Sequence, residues 1–316
     1  MSLSKSILVT GGAGYLGSVL VNRLVKEKFN VKVIDSLVFG NDGISQLIDK
    51  NSLNLDVNLL EKKITKNTKA IMTVNFNGRT TDMKLLQEIA KKHNLNLIED
   101  AAHSLGSYYG KKHQGNQSDV AVFSFSTPKI ITTGQGGMII TNNKKIFERC
   151  KELKDFGRKI GAKKKMLSAF QHNTIGYNFK FTEFQAAIGI SQMKKLEKRI
   201  KIKKNMYKMY YELLNKVEQI EFVQTDLKKV TPWMVDILLK NKKNRMDLIN
   251  YLEKQKIETR IFYPPIHTLT PYRSNNKKFM ISTDISKRGL WMPSSSTLTD
   301  NELEYVCKKI KELLKN

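Results

Sequence analysis

The stretches LNLIEDAAHSLG (95–106) and SDVAVFSFSTPK (118–129) decide the fold, because each takes a short apolar run into a polar turn. Runs of this length, bounded by polar residues, predict buried strands. The first strand ends at Asp100, and the second leads to Lys129. In open α/β sheets the carboxyl ends of neighbouring strands meet at one edge, where ligands bind. We therefore predict that Asp100 and Lys129 lie close together at such an edge.

Strands and helices alternate on both sides of these stretches. The predicted strands are 70–74, 95–98, 120–125, 136–141 and 233–239, and the predicted helices are 57–64, 82–92, 182–214, 244–255 and 300–315. Thr182 is the expected N-cap of the long third helix. The alternation predicts an α/β fold with a mostly parallel sheet covered on both faces, followed by a smaller α+β domain at the C-terminus.

The N-terminal 48 residues, which we call the head, have a pattern of their own. ILVTGGAGYLGS (7–18) predicts a strand, a glycine turn and the start of a helix, and a second strand ends at Asp35. This is half of a mononucleotide-binding unit. Gly11, Gly14 and Gly17 would allow a pyrophosphate to approach the backbone, and Asp35 would accept hydrogen bonds from a ribose.

Composition narrows the classes of function. The 316 residues carry 55 Lys and Arg against 29 Asp and Glu, a net charge of +26, which by itself suggests an anionic partner. The lysines are scattered over amphipathic helices without interleaved stacking aromatics, so biased codon usage is favoured over nucleic-acid binding. No apolar stretch is long enough to span a bilayer and no signal peptide is evident, so the expected compartment is the cytoplasm. Cys150 and Cys307 lack metal-ligand spacing and are interpreted as packing residues, with no metal expected.

A lysine and an aspartate at one sheet edge match the needs of a pyridoxal-phosphate (PLP) enzyme. The amine holds the cofactor's aldehyde as an imine, and the carboxylate keeps the pyridine nitrogen protonated. Other interpretations stay open on spacing alone. A lysine in a lysine-rich chain is commonly solvated, an aspartate after a strand often caps the next helix, and His103 alone is more often a core or surface residue.

Long motifs distinguish between these alternatives by resemblance. The runs are IEDAAHSLG (98–106), SDVAVFSFSTPKIITTGQGGMIITNN (118–143), LKDFGR (153–158), IGYNFKFTEFQAAIG (175–189), ETRIFYPPIHTLTPY (258–272) and WMPSSSTLTDNELEYV (291–306). They resemble, in order and approximate spacing, the DegT/StrS family of PLP-dependent sugar aminotransferases, and TRIFYPPIH and PSSSTLT are most similar to its perosamine-synthase-like members. The resemblance implies a PLP fold-type-I-like large domain and a homodimer.

The resemblance also implies roles for individual residues. It makes Lys129 the catalytic lysine and Asp100 the partner of the pyridine nitrogen, with His103 facing the ring oxygen and Ser124 binding the phosphate. Asn178 would reach the phosphate in the neighbouring subunit's site. The segment with Arg260, Tyr263 and His267 resembles the lining of the sugar pocket, although a structural role for each is an equal alternative.

The implied reaction is a two-step transamination. An amino donor such as glutamate aminates the cofactor, which then aminates a 4-keto-6-deoxy or 3-keto nucleotide sugar. Lys129 would move the proton, a task that needs a lysine with a lowered pKa.

The head departs from this family and resembles the start of an extended short-chain dehydrogenase/reductase, of the nucleotide-sugar epimerase/dehydratase kind. The sequence is therefore interpreted as a fusion with a truncated head at 1–48, an aminotransferase large domain at 49–214 without its first part, and a small domain at 215–316. The family's usual phosphate-binding Ser-Gly-Thr and its Thr-Phe motif have no counterpart before residue 49. An NAD(P)-binding protein or an inactive remnant are the alternative functions.

Overall fold

The computed structural model describes residues 6–10, 30–34, 48–158, 160–161, 171–270, 273 and 279–314. Its strands are β1 Ser6–Thr10, β2 Asn30–Ile34, β3 Ala70–Val74, β4 Asn96–Asp100, β5 Tyr108–Tyr109, β6 Lys112–His113, β7 Val120–Ser124, β8 Gly137–Ile140, β9 Ile220–Phe222, β10 Asp236–Leu239, β11 Arg260–Ile261 and β12 Gly289–Trp291. Its α-helices are α1 Met83–Lys92, α2 Lys144–Lys154, α3 Glu183–Met193, α4 Leu196–Leu214, α5 Lys242–Lys254, α6 Met280–Arg288 and α7 Asp300–Leu314. Within these ranges, no helix has the length and apolar character needed to cross a membrane.

The large sheet has the strand order β3-β4-β7-β8. β3, β4 and β7 are parallel, with Val74 beside Asp100 and Asp100 beside Val122. β8 runs antiparallel to β7 at the edge of the sheet, so the sheet is mostly parallel, as the sequence analysis predicted, with one antiparallel strand. The connection at 125–136 contains no crossover helix, so the chain returns beside β7 in the opposite direction.

Helix α1 covers one face of this sheet. The Asp82 side chain accepts a hydrogen bond from the backbone N–H of Leu85 and so caps the helix, and Leu86 and Ile89 are among its buried residues. These side chains join Ile71 and Leu97 in a continuous apolar core. Burial of the apolar stripe of α1 against β3 and β4 thus fixes the orientation of the two strands whose ends approach the candidate site.

Two helices differ from their predicted form. The predicted 182–214 helix is divided at Lys194 and Lys195 into α3 and α4, with Thr182 as the expected N-cap and a complete capping box with Gln185. The predicted 57–64 helix is two short 3-10 turns. Helices α2 and α6 and strands β9 and β12 were not predicted from the sequence.

The small sheet is antiparallel, in the order β11-β12-β10-β9. Helices α4, α5 and α7 pack on it around a core that contains Tyr210, Ile237, Leu248 and Ile310. The second half of α4 therefore belongs to the core of the small sheet. Leu196, at the start of the same helix, packs against the cluster that contains Phe123 and Ile131, so α4 contacts both sheets.

The head contributes two described strands. β1 and β2 pair in parallel, from Ser6 opposite Asn30 to Thr10 opposite Ile34, which agrees with the predicted strand positions. Cα atoms of β1 also lie within 8 Å of β3, the first strand of the large sheet. The head strands therefore lie beside that edge of the sheet.

Candidate active site

Asp100 and Lys129 lie at the same edge of the large sheet, as the sequence analysis predicts. Asp100 is the last residue of β4, and Lys129 follows β7 in the loop that leads to β8. The backbone N–H of Lys129 donates to the carbonyl of Ser126 at 3.1 Å, which makes a tight turn around the lysine. The parallel pairing of β4 and β7 brings the two residues together.

Lys129 is desolvated but retains some exposure. Burial lowers its pKa from 10.5 to about 8, and the nearby Asp100 carboxylate opposes the shift. The two side chains interact electrostatically, yet no ion pair within 4.0 Å joins them among the described residues. A lysine with a pKa near 8 has an appreciable fraction of neutral amine at neutral pH, which is the form that attacks a carbonyl.

Asp100 has acceptor capacity left for a ligand. Its Oδ1 accepts a hydrogen bond from the backbone N–H of Ala102 at 3.0 Å. Burial raises its pKa, while that hydrogen bond and the charge of Lys129 lower it. A desolvated carboxylate without a paired cation is stabilised by any cationic donor that enters the site.

His103 is neutral and held in one orientation. Burial, and next the charge of Lys129, hold its pKa well below 6.5. Its Nδ1 lies 3.4 Å from the backbone N–H of Asn77, which donates to it, so the hydrogen of the neutral ring is assigned to Nε2. The ring centroid is 4.1 Å from that of Trp233. The site thus contains a neutral N–H donor beside an amine and a carboxylate.

Ser124 and the loop beyond it complete this edge. Ser124 Oγ donates to Ser126 Oγ at 3.1 Å and accepts from the Ser126 backbone N–H at 3.3 Å. The loop then returns through Gly136, whose φ is +146° and where a Cβ would lie 2.5 Å from the Phe181 ring. Glycine is therefore required at 136 for the loop to pack against the segment before α3.

Asn178 is separate from these residues within the chain. Its backbone forms a β-bridge with Asp155, and its side-chain oxygen accepts from Lys180 Nζ. The residue is exposed, in a surface segment with Ile175 and Phe179. The structure does not bring Asn178 into contact with Lys129 or Asp100 of the same chain.

The three predicted pocket residues differ in their surroundings. The guanidinium of Arg260 is exposed and lies 5.3 Å from the ring centroid of Tyr263 and 5.7 Å from that of Trp291. Tyr263 is half-buried, and burial raises its pKa. His267 has no exposed surface, and its Nε2 lies 3.1 Å from Thr283 Oγ1. Its ring has the environment of a core residue, while Arg260 remains accessible.

The predicted dinucleotide residues Gly11, Gly14, Gly17 and Asp35 lie outside the described residues. Of the head, the structure describes the parallel strands before and after the glycine turn and the last residue, Ile48.

Sequence reasoning missed Trp233, which comes from the segment before β10. Lys129 Nζ lies 4.1 Å from the centroid of its ring, and Trp233 Nε1 donates to the carbonyl of Pro128 at 2.7 Å. A tryptophan 104 residues along the chain from the lysine gives no local pattern. Its only signal is rarity, since the chain has two tryptophans.

The assembled site can capture a carbonyl compound through an amine, stabilise a protonated ring nitrogen and donate a hydrogen bond to a ring oxygen. Lys129, Asp100 and His103 supply these groups in that order. This is the set of functions that PLP requires of a protein, so the residues fit the cofactor that the resemblance implies.

Comparison with known proteins supports the same assignment. A sequence model described as the DegT/DnrJ/EryC1/StrS aminotransferase family matches residues 40–311, which begins earlier than the predicted boundary at residue 49. GDP-perosamine synthase of Escherichia coli O157:H7 is 36% identical over 264 residues, covering 84% of this chain and 71% of that protein. GDP-perosamine synthase of Vibrio cholerae is 33% identical over 268 residues, with the same coverage of 84% and 71%.

Solved structures share the fold. Helicobacter pylori PseC, an aminotransferase involved in the biosynthesis of pseudoaminic acid, superposes with a TM-score of 0.83 at 23% identity, covering 100% of this chain and 81% of its own. A sugar aminotransferase of Streptococcus pneumoniae in its PLP form gives a TM-score of 0.83 at 19% identity, with coverages of 99% and 81%. The fold-type-I-like α/β architecture is therefore confirmed, with a mixed sheet.

Proposed function

This chain belongs to the DegT/DnrJ/EryC1/StrS aminotransferase family, whose cofactor is PLP, and from that premise we propose that it aminates a 4-keto-6-deoxy nucleotide sugar with glutamate as donor. The observation that carries the proposal is the placement of Lys129 and Asp100 at one sheet edge, where they interact electrostatically without a direct ion pair among the described residues and the pKa of Lys129 is lowered to about 8. The names of the relatives, GDP-perosamine synthases, favour a GDP-linked sugar in amino-sugar biosynthesis.

Four side chains hold the cofactor in this proposal. PLP supplies an aldehyde that captures amines and a ring that accepts electrons from the bonds of the captured group. Lys129 holds the aldehyde carbon, Asp100 accepts the hydrogen bond of the protonated ring nitrogen, and His103 donates from Nε2 to the ring oxygen. Ser124 binds the phosphate. Asp100 is suited to its role because burial makes its negative charge costly until a cation arrives.

Lys129 then moves the proton. Once an incoming amino group has replaced it, the amine of Lys129 would take the proton from the carbon next to the donor nitrogen and hold it for return, and it would make the reverse moves for the sugar. A pKa of about 8 suits both directions near neutral pH, because the acid and base forms are both populated. Partial burial by Trp233 limits water at this amine.

Arg260 and Tyr263 are the proposed contacts to the nucleotide sugar. The exposed guanidinium of Arg260 is available to an anionic diphosphate, and it rests on aromatic rings that extend from Trp291 to Trp233 and so towards Lys129. His267 is assigned a packing role because its ring is buried against Phe279.

The first test is covalent attachment of PLP to Lys129. The purified protein is mixed with PLP, reduced with borohydride and digested, and we expect the modified peptide to contain Lys129. Lys129→Met should abolish the modification and the colour of the bound cofactor. The matched control is Lys203→Met, because Lys203 also has a pKa lowered to about 8 by burial. A folded wild-type protein that stays colourless with excess PLP contradicts the proposal.

The second test identifies the substrate. Glutamate and a GDP-linked 4-keto-6-deoxy sugar should give 2-oxoglutarate and a GDP-linked amino sugar, detected by mass spectrometry. A UDP-linked keto-sugar and a 3-keto isomer are the comparison substrates. Turnover of a UDP-linked sugar alone would reject the GDP assignment while leaving the aminotransferase assignment intact.

A second copy of the chain is the proposed partner. β8, α2, α3 and the segment around Asn178 present an exposed apolar surface, and neither α2 nor α3 has a buried residue. Its exposed side chains are Met138, Ile139, Phe147, Ile175, Phe179, Phe184, Ile190 and Met193. Contiguous apolar patches on a folded protein mark interaction sites. Asn178 lies in this surface, which supports its role in the neighbouring subunit's site.

Light scattering after size exclusion tests the dimer. We expect wild type to have twice the chain mass and Phe184→Glu to have the chain mass. The control is Met280→Glu, because Met280 is 72% exposed on α6, close to the 77% exposure of Phe184, but is not part of the apolar surface. A monomeric wild type contradicts the proposal.

For the head we propose a reductase-derived unit that has kept its parallel strands beside β3. NAD(P) binding at Gly11, Gly14, Gly17 and Asp35 remains the alternative function. Titration with NAD and NADP, comparing wild type with Gly14→Asp, tests it, and identical curves would reject it.

A further inference from the structure

Trp233 makes two contacts with the loop between β7 and β8, which contains Lys129. The ammonium of Lys129 lies 4.1 Å from the centroid of its ring, and its indole N–H donates to the carbonyl of Pro128, the preceding residue, at 2.7 Å. Trp233 is only 2% exposed. One side chain therefore covers the amine and fixes the backbone next to it.

Trp233 is itself held rigidly. The side chain of Asn77 forms two hydrogen bonds with the backbone of the next residue, Met234: Nδ2 donates to its carbonyl and Oδ1 accepts from its N–H, both at 2.8 Å. The Trp233 ring also contacts His103 at 4.1 Å and the edge of Trp291 at 5.9 Å between centroids. These contacts leave the indole little freedom to rotate away from Lys129.

The opposite side of the lysine is held as well. Arg199, on α4, donates from a guanidinium nitrogen to the carbonyl of Ile130 at 2.8 Å. The carbonyls on both sides of Lys129 thus accept hydrogen bonds from side chains that lie outside the loop. Both donors come from the part of the chain that leads into the small sheet.

We propose that Trp233 is a positioning residue for Lys129: its ring keeps water from the amine, and its indole N–H holds the turn that aims the amine at the ligand. This inference rests on the proposed function, because positioning has a purpose only if Lys129 reacts. Trp233 acts through its contacts with Lys129 and Pro128 and is not assigned a contact with the substrate.

Two effects of the ring on Lys129 oppose each other. An aromatic face attracts an ammonium by about 0.5 to 2 kcal/mol, which favours the charged form. Burial disfavours the charged form and lowers the pKa of Lys129 to about 8, while the charge of Asp100 opposes the shift. Among the described residues, the ionisable groups that interact with Lys129 are Asp100, at the end of β4, and the neutral His103. Loss of the ring would admit water and return the pKa of Lys129 towards 10.5.

The test measures Lys129 in the cofactor-free protein. Formaldehyde and cyanoborohydride methylate neutral amines, and mass spectrometry of the peptide that contains Lys129 gives its rate as a function of pH. We expect Trp233→Leu to raise the pH midpoint by about one unit, which lowers the rate near neutral pH roughly 5- to 10-fold. The matched control is Trp291→Phe, which keeps an aromatic ring beside Trp233 and removes only an indole N–H that is buried without a partner among the described residues, so it should keep the wild-type midpoint.

Trp233→Phe is the second variant. It keeps an aromatic face but loses the donor to Pro128, so its midpoint should lie between those of wild type and Trp233→Leu. If Trp233→Leu does not fold, the comparison of the pH midpoints of Trp233→Phe and Trp291→Phe is sufficient to test the proposal. Equal midpoints in the Trp233 and Trp291 variants overturn the proposal.

The probe separates this inference from the proposed function. Formaldehyde has neither the ring nor the phosphate of PLP, so it reports on the amine alone. If the wild type does not bind PLP but the pH midpoint of Lys129 methylation depends on Trp233, the aminotransferase function is rejected and the contact between Trp233 and Lys129 is supported. A wild type that binds PLP through Lys129, with midpoints unaffected by Trp233, would reject only the positioning role.

Discussion

Two lysines of this protein have a pKa lowered to about 8 by burial, and their regions differ in what surrounds them. Lys129 lies at the edge of the large sheet, partly exposed and close to Asp100 without a direct ion pair. Lys203 lies on α4 against the small sheet, 7% exposed, and its Nζ donates to the carbonyl of Ser294.

The carboxylates of the two regions show the same contrast. Asp236, on β10, is fully buried and forms a direct ion pair with Arg79, which is 2% exposed. Asp100 accepts one described hydrogen bond from the backbone and keeps some exposure. The charged groups at the small sheet have protein partners, whereas those at the large-sheet edge retain capacity for a ligand.

A perturbed pKa therefore does not identify a site by itself. Burial, together with the charge of Arg199, produces the same shift in Lys203, which connects a helix to a sheet. What distinguishes Lys129 is the combination of a lowered pKa, access and a carboxylate with free acceptor capacity at the ends of parallel strands.

The largest expected effect is on the free energy of unfolding, and it tests the difference between Asp236 and Asp100. Asp236→Asn should lower the free energy of unfolding by about 3 to 5 kcal/mol, because Arg79 would be left as a buried charge without its partner. Asp100→Asn should change it by less than about 1 kcal/mol, since the amide oxygen still accepts from Ala102 and the cost of a desolvated charge is removed. Urea unfolding of the cofactor-free variants near neutral pH measures both.

An equal loss in the two variants would mean that Asp100 contributes to the stability of the fold to the same extent that Asp236 does. The same unfolding curves should have unchanged denaturant slopes, which excludes a change in the compactness of either state.

An intermediate effect concerns pH. The folded chain releases the protons of Lys129 and Lys203 near pH 8, whereas an unfolded chain releases them near its ordinary pKa of 10.5. Between these values the unfolded state binds more protons, so stability rises with pH. From about pH 7.5 to about pH 9.5 the gain should be about 1 to 2 kcal/mol per lysine.

Lys129→Met and Lys203→Met should each remove the part of this pH-dependent gain in stability that comes from the replaced lysine. The double variant should remove both, if the two sites act independently. A pH dependence that survives in the double variant would assign the gain to other groups.

The smallest effect compares two helix caps. Thr182 caps α3 next to the candidate site, and Thr299 caps α7 in the small-sheet core, each in a reciprocal pair with the third helical residue, Gln185 or Glu302. Thr299→Ala should cost about 1 kcal/mol in urea unfolding, and Thr182→Ala about half of that. The difference is expected because α3 has no buried residue in the chain. Equal costs would show that α3 is as firmly part of the cooperative unit as α7.

Much of the large sheet could be predicted from sequence. The strands at 70–74 and 120–125 and the helix at 82–92 have short apolar runs or a clear helical period, and Thr182 has the capping pattern that begins α3. The sequence does not show that β8 turns back antiparallel, because four apolar residues fit either direction. The break between α3 and α4 could not be predicted for a similar reason, because Lys194 and Lys195 are both good helix formers.

The sequence by itself determined which residue types occupy the ends of β4 and the turn after β7, because apolar runs that end in Asp100 and Pro128-Lys129 are local features. Only the tertiary structure decided that Trp233 covers Lys129, that Lys203 is satisfied by Ser294, and that Asn178 lies on an apolar surface. Those outcomes depend on contacts between segments far apart in the chain, and burial and electrostatic coupling arise from such contacts and not from local sequence.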